Sequence, residues 1–320
     1  MKTLVYGGGA VGLGIASCLL KSGISTDIVA RPGAVTVLKE KGLSRKGIFG
    51  SFSASPREFR AYTSIDSARE KPDVVLVCTK SFDSQEVASD LNRFLKPRAW
   101  RGSIILFQNG WGNAEQFLRF FDDIQVLCAR VITGFTRTHP NEVEITVHAE
   151  AIRIGWPREV EPTSKENALL GSLCTAITKG GIPCERTDNI VAELWAKMLY
   201  NCALNGLGAL FEATYGELAV HEESRALMSA MVKEIFEVMK GAGFNTHWPG
   251  AGDFLETFYS DLIPPTQEHY SSTLQDIRAG KQTEIEALNG AVYALGKEFG
   301  VTTPVNETVY RMVKLKAREN

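Results

Sequence analysis

The sequence predicts an α/β protein in two parts: a doubly wound, mostly parallel sheet over residues 1–186, then an all-helical domain over residues 187–320. Three observations carry that expectation. Up to about Ile182, short apolar runs alternate with longer helix-like segments, the order expected of βαβ units around a parallel sheet. A glycine triplet, Gly7-Gly8-Gly9, joins the first apolar run to an apolar helix pattern. Beyond Cys184–Asn189 the strand signal all but disappears and long helical patterns replace it.

In chain order, the first strand is read at Thr3–Tyr6, the helix after it at Val11–Lys21 and the second strand at Thr26–Ala30. Val74–Cys78, Ser103–Leu106 and Gln125–Val131 are further apolar strand runs, and Ser84–Leu95 has the spacing of an amphipathic helix. Glu142–Val147 and Ala151–Gly155 flank a short polar turn and read as an antiparallel addition at the sheet edge. The helical part is expected to hold Ile190–Leu210, Glu222–Ala242, Tyr270–Arg278, Thr283–Phe299 and Thr308–Ala317. Between His247 and Thr266, glycines and prolines mark a connection broken by a short helix.

The composition excludes several functions. A chain of 320 residues with 44% hydrophobic and 22% charged residues is an ordinary globular protein with room for two domains. Its net charge of −2 offers nothing to nucleic acid or to an anionic membrane. No apolar stretch approaches the about 18 residues a membrane span needs, and glycines interrupt the N-terminal run too early for a signal peptide. The 6 cysteines form no C-x-x-C pair and the 5 histidines are dispersed, so no metal site or disulfide framework is expected. A reduced cytoplasmic protein is the expectation.

Gly7, Gly9 and Gly12 have the spacing G-x-G-x-x-G between a strand and a helix, with a second strand about 20 residues on. In a Rossmann-type domain the first glycine permits the tight turn, the second lets backbone approach a pyrophosphate, and the third lets helix pack on strand. Ala10 and Val11, at the helix start, present free N–H groups to the phosphates. The second strand chooses the nucleotide. It ends Ile28-Val29-Ala30-Arg31, with Asp27 too early to take a ribose hydroxyl, so Arg31 is either the cation for the 2′-phosphate of NADPH or a solvated arginine after a strand, and the first favours NADPH. Lys80, ending "VVLVCTK", is either a second cation at the cofactor or a surface lysine. Asn109, in "LFQNGWGN", lies at the carboxyl end of a strand, where ligands gather, but an asparagine before glycine is also an ordinary turn-former.

Polar residues recur on helical faces. Lys197, Asn201 and Asn205 are spaced i, i+4, i+8 in the mainly apolar "NIVAELWAKMLYNCALNGLGAL", so one face carries all three. Such groups border a polar cleft or join a buried network, because unpartnered burial is costly. Ser271, Ser272 and Gln275 precede Gly280, and Thr283, Glu284 and Asn289 follow it. Thr283 and Glu286 fit a T-x-x-E capping box, which leaves Glu284 unexplained on a partly buried face.

Taken together, the glycine loop, Arg31, "QNGWGN", "WAKMLYNCALN", "SSTLQDIRAGKQTEIEALNG" and "GVTTPVNETVY" resemble the ketopantoate reductase (2-dehydropantoate 2-reductase) family nearly end to end. The resemblance implies NADPH-dependent reduction of ketopantoate to pantoate, in pantothenate and coenzyme A biosynthesis. It makes Lys197 the general acid at the ketone oxygen, with Asn201 and Asn205 orienting lysine and substrate. Ser272 would hold the substrate carboxylate and Glu284 its hydroxyl, while Asn109 would lie near the nicotinamide ribose and Lys80 beside the cofactor. The alternatives are a reductase of another 2-keto acid, an opine- or hydroxyacid-type dehydrogenase, or a non-enzymatic NADP(H) sensor. The expected partner is a small 2-keto acid, and the helical domain leaves room for a homodimer.

Overall fold

The N-terminal apolar run forms β1 (Lys2–Tyr6), with Leu4 and Val5 buried, in a computed structural model that describes residues 1–318. The chain divides into two units: Met1–Gln108 with Asn113–Ile190, and Asn109–Gly112 with the residues from Val191 onward.

In the first unit β1 leads through α1 (Ala10–Lys21) to β2 (Ser25–Val29), then α2 (Pro32–Lys41), β3 (Leu43–Gly47), β4 (Phe52–Ala54) and β5 (Arg60–Tyr62). There follow β6 (Val74–Val77), α3 (Ser84–Leu95), β7 (Ser103–Leu106), α4 (Asn113–Leu118), β8 (Val126–His139), β9 (Glu142–Gly155), α5 (Ser164–Gly180) and β10 (Cys184–Arg186). Among the described residues these strands make one mixed, Rossmann-like sheet in the order β4-β3-β9-β8-β7-β6-β1-β2-β5, with β10 beside β9. The parallel centre, β8-β7-β6-β1-β2, is the doubly wound part that the βαβ alternation predicts.

Two expectations about the sheet need correction. Residues 142–155 form one strand rather than two, because His148 and Glu150 pair with Thr133 and Ile132 of β8 and bulges absorb the register shifts. Nor does that strand close the sheet edge. β3 pairs along its other side through Ser44↔Glu142 to Gly47↔Ile145, and β4 lies outside β3.

The second unit is helical: α6 (Ile190–Phe211), α7 (Tyr215–Val220), α8 (Glu222–Ala242), α9 (Ala251–Thr257), α10 (Ser272–Arg278), α11 (Asn289–Phe299) and α12 (Pro304–Lys316). The helix expected at Thr283–Phe299 forms only over Asn289–Phe299. Residues Ile285–Ala287 make a single 3₁₀ turn before α11, and no capping box forms at Thr283. Glu286 is drawn away instead, accepting hydrogen bonds from Tyr310 and Lys314 of α12. The helix expected from Thr308 starts one turn earlier, at Pro304, whose missing N–H costs nothing at a first helical position.

Each unit has its own apolar core. The first centres on Val5, Leu13, Ile15, Leu76, Ile105 and Ile154, the second on Trp195, Leu199, Met231, Ile235, Phe254 and Val309. Among the described residues no helix is long and apolar enough to cross a membrane.

Candidate active site

The glycine loop follows β1 directly, and its three motif glycines have different physical reasons. Gly7 has φ +120°, and a Cβ there would lie 2.7 Å from the Cys78 carbonyl carbon. A Cβ on Gly12 would lie 1.8 Å from the Gly7 carbonyl oxygen. The fold itself demands both. At Gly9 the nearest protein atom to such a Cβ is the Cys78 oxygen at 4.0 Å, so nothing inside the protein requires glycine there. A pyrophosphate seated against the backbone does require it. Gly9 also stands at the N-terminus of α1 with no side-chain cap, so the N–H groups at the Ala10–Val11 end of the helix face whatever binds. The loop therefore fits a dinucleotide.

Asp27 lies within β2 opposite Leu4, buried, with Lys2 Nζ 3.9 Å away, and desolvation raises its carboxyl pKa. It is not at the strand end. Arg31 is, exposed and immediately before α2. Lys80 is half-buried in the loop after β6, close to where Gly7 meets Cys78 and Thr79. That loop is fixed by Gln108, to which the sequence reading gave no role: its amide nitrogen lies within hydrogen-bonding distance, as donor, of Thr79 Oγ1, the Lys80 carbonyl and Ser84 Oγ at 2.9–3.3 Å.

Asn109–Gly112 groups with the helices. Trp111 explains why: its ring centroid is 4.9 Å from that of Trp195 and 4.8 Å from that of Phe244. The Trp111 backbone N–H donates to the Ala287 carbonyl at 2.8 Å. Gly110, at φ +86°, packs so closely on Ala287 that a Cβ would lie 2.3 Å from its oxygen. With the turn held this way, Lys197 Nζ donates to Asn109 Oδ1. Glu284 is buried one 3₁₀ turn before Ala287, whose N–H bonds back to the Glu284 carbonyl at 3.0 Å. Lys197, Asn109 and Glu284 thus share one neighbourhood.

The other residues on the helical stripe differ in depth. Asn201 is half-buried, one turn beyond Lys197 on α6. Asn205 is buried and accepts a 2.8 Å hydrogen bond from Tyr215, whose phenol burial pushes well above its ordinary pKa. Its carbonyl takes the Ser271 hydroxyl at 3.1 Å, and Ser271 caps α10. Ser272, next in the chain, is exposed on the first turn of α10. The sequence patterns did not single out Gln108 or Trp111, because their roles depend on partners remote in the chain.

Residues 3–158 match the family model described as Ketopantoate reductase PanE/ApbA, and residues 189–317 match the one for the C terminal part of the same family. The chain belongs to the ketopantoate reductase family. It is an oxidoreductase of that family. A 2-dehydropantoate 2-reductase of Aquifex aeolicus is 36% identical to this member over 318 residues, covering 99% of this chain and 97% of the relative. A solved ketopantoate reductase from Ralstonia eutropha superposes with a TM-score of 0.85 at 28% identity, covering 100% and 99% of the two chains. A D-mandelate dehydrogenase solved with NADH and anilino(oxo)acetate shares the fold, with a TM-score of 0.86, 21% identity and the same coverage.

Proposed function

We propose that this ketopantoate reductase family member reduces 2-dehydropantoate to pantoate with NADPH, a step of pantothenate biosynthesis. The observation that carries the reading is the Lys197–Asn109 hydrogen bond, which fixes the lysine Nζ beside the turn that follows β7. When bound, the reduced nicotinamide supplies a hydride. Charge then grows on the ketone oxygen, and Lys197 Nζ holds the proton that neutralises it. Asn109 aims the lysine, and Asn201, exposed enough to reach a ligand, orients the substrate beside it. Asn205 supports this face through Tyr215. Ser272 binds the substrate carboxylate and Glu284 accepts its hydroxyl. Gly7, Gly9, Ala10, Val11 and Gly12 cradle the pyrophosphate, Lys80 adds charge beside it, and Arg31 takes the 2′-phosphate. Six buried free cysteines suit a reducing, cytoplasmic setting.

The test is NADPH oxidation by the purified protein with ketopantoate, alongside a panel of other 2-keto acids. Turnover is expected to be fastest with ketopantoate. Lys197→Ala is expected to lower kcat by about 10²–10⁴-fold while NADPH still binds. Preference for an aryl 2-keto acid with NADH would instead favour a hydroxyacid dehydrogenase like the D-mandelate enzyme. Near-normal turnover in the lysine variant would remove it from the acid role.

A further inference from the structure

β8 runs beyond the core of the sheet and, with β9, forms a long hairpin that meets α1. Phe135 of β8 lies on Gly14 so closely that a Cβ at that glycine would be 2.3 Å from the phenyl Cε1. Two residues on, and so on the same face of the strand, Arg137 donates from Nη1 to the carbonyl of Gly8 at 3.2 Å. Gly8 itself adjoins the end of β2: a Cβ there would lie 2.5 Å from Ala30 Cβ, and Arg31 is the next residue. The middle residue of the glycine loop therefore has Arg31 on the β2 side and Arg137 on the hairpin side. Both arginines are exposed, and neither has a carboxylate partner among the described residues.

We propose that Arg137 is a second 2′-phosphate-binding residue, supplied by the β8–β9 hairpin, and that it acts with Arg31 to select NADPH over NADH. The inference rests on the NADPH reading above. A phosphate monoester carries close to two negative charges near neutral pH, more than one guanidinium neutralises. Guanidinium groups bind phosphate oxygens through a planar fork, so two of them beside the same loop residue cover a phosphate that a single arginine leaves half solvated. The Gly8 carbonyl occupies one Nη1 proton and limits the rotamers of Arg137, while its remaining donors stay available. Phe135 on Gly14 anchors the strand that delivers it.

Calorimetric titration with adenosine 2′,5′-bisphosphate and with ADP tests this without turnover. Wild type is expected to prefer the 2′-phosphorylated probe. Arg137→Gln keeps an N–H donor for Gly8 but removes the charge. It is expected to weaken adenosine 2′,5′-bisphosphate about tenfold while changing ADP less than about twofold. Arg137→Ala should do the same, and Arg137→Lys should fall between. Equal loss on both probes would reduce Arg137 to a brace for the loop and overturn the proposal, as would binding unchanged on both. A wild type with no preference for the 2′-phosphate would overturn the NADPH reading itself. A wild-type preference that survives Arg137→Gln but not Arg31→Ala would overturn the Arg137 assignment alone.

Discussion

Gly9 and Gly12 have different roles in the motif, and the structure separates them sharply. The Gly12 hydrogen points at the Gly7 carbonyl oxygen, 1.8 Å from where a Cβ would sit, and backbone cannot step aside as a side-chain tip can. Alanine has the higher helix propensity by about 1 kcal/mol, but the clash outweighs it. Gly12→Ala is therefore expected to destabilise the fold by about 1–3 kcal/mol, read from urea unfolding. Gly9 has φ −80° and open space, so Gly9→Ala should leave the unfolding midpoint unchanged and weaken NADPH binding tenfold or more, to about the cost of a displaced phosphate contact. A Gly9→Ala protein that binds NADPH like wild type would sink the pyrophosphate assignment. The spacing made the motif legible. The motif also separates the two structural glycines from the one left for a ligand; what it hid is the atoms they meet, the Cys78 carbonyl for Gly7 and the Gly7 carbonyl for Gly12. Arg137 was hidden for a similar reason, since its role comes from a hairpin folding onto α1 and not from any local pattern.

At the scale of elements, periodicity succeeded where a segment is long and its burial one-sided. Ser84–Leu95 and Glu222–Ala242 are helices with the bounds that the pattern gives. It failed for β3, of five residues, and for β4, β5 and β10, of three each, which owe their conformation to pairing with neighbours. It also misread Thr283 and Glu286, where a local cap competes with Tyr310 and Lys314 and loses. The N-terminus of α12 shows a remote cap that no local motif announces. Past Pro304, the first two N–H donors, of Val305 and Asn306, bond to the Glu234 carboxylate of α8 at 2.8 and 2.9 Å. That carboxylate also accepts the Asn306 amide at 2.7 Å, and Asn306 in turn bridges to Asn289 and to the Met231 carbonyl. Removing the acceptor strands two helix donors and a buried amide. Glu234→Ala is expected to cost about 1–3 kcal/mol in urea unfolding, with Glu234→Gln recovering part of it. A loss below about 0.5 kcal/mol would mean that water replaces the cap at no penalty.

For the molecule as a whole, the change from alternating to helical patterns near Asn189 was legible because strands and helices bury apolar residues at different periods. That Asn109–Gly112 groups with the helices was not, since only the seat of Trp111 against Trp195 and Phe244 reveals it. The two cores have no residue in common. Each unit therefore has an apolar core of its own, and scanning calorimetry is expected to resolve two heat-absorption steps. In the proposed binding mode adenosine 2′,5′-bisphosphate would touch only the glycine loop, Arg31 and Arg137, all in the first unit, so by mass action it should raise one step and leave the other in place. At a hundredfold excess over Kd the stabilisation is about 2.7 kcal/mol, worth about 5–10 °C for a unit of this size. The shifted step should stop moving in the Arg31→Ala protein, which ties the thermal assignment to the 2′-phosphate site. A single step that moves whole with the nucleotide would show that the two cores melt together and that binding in one unit stabilises both.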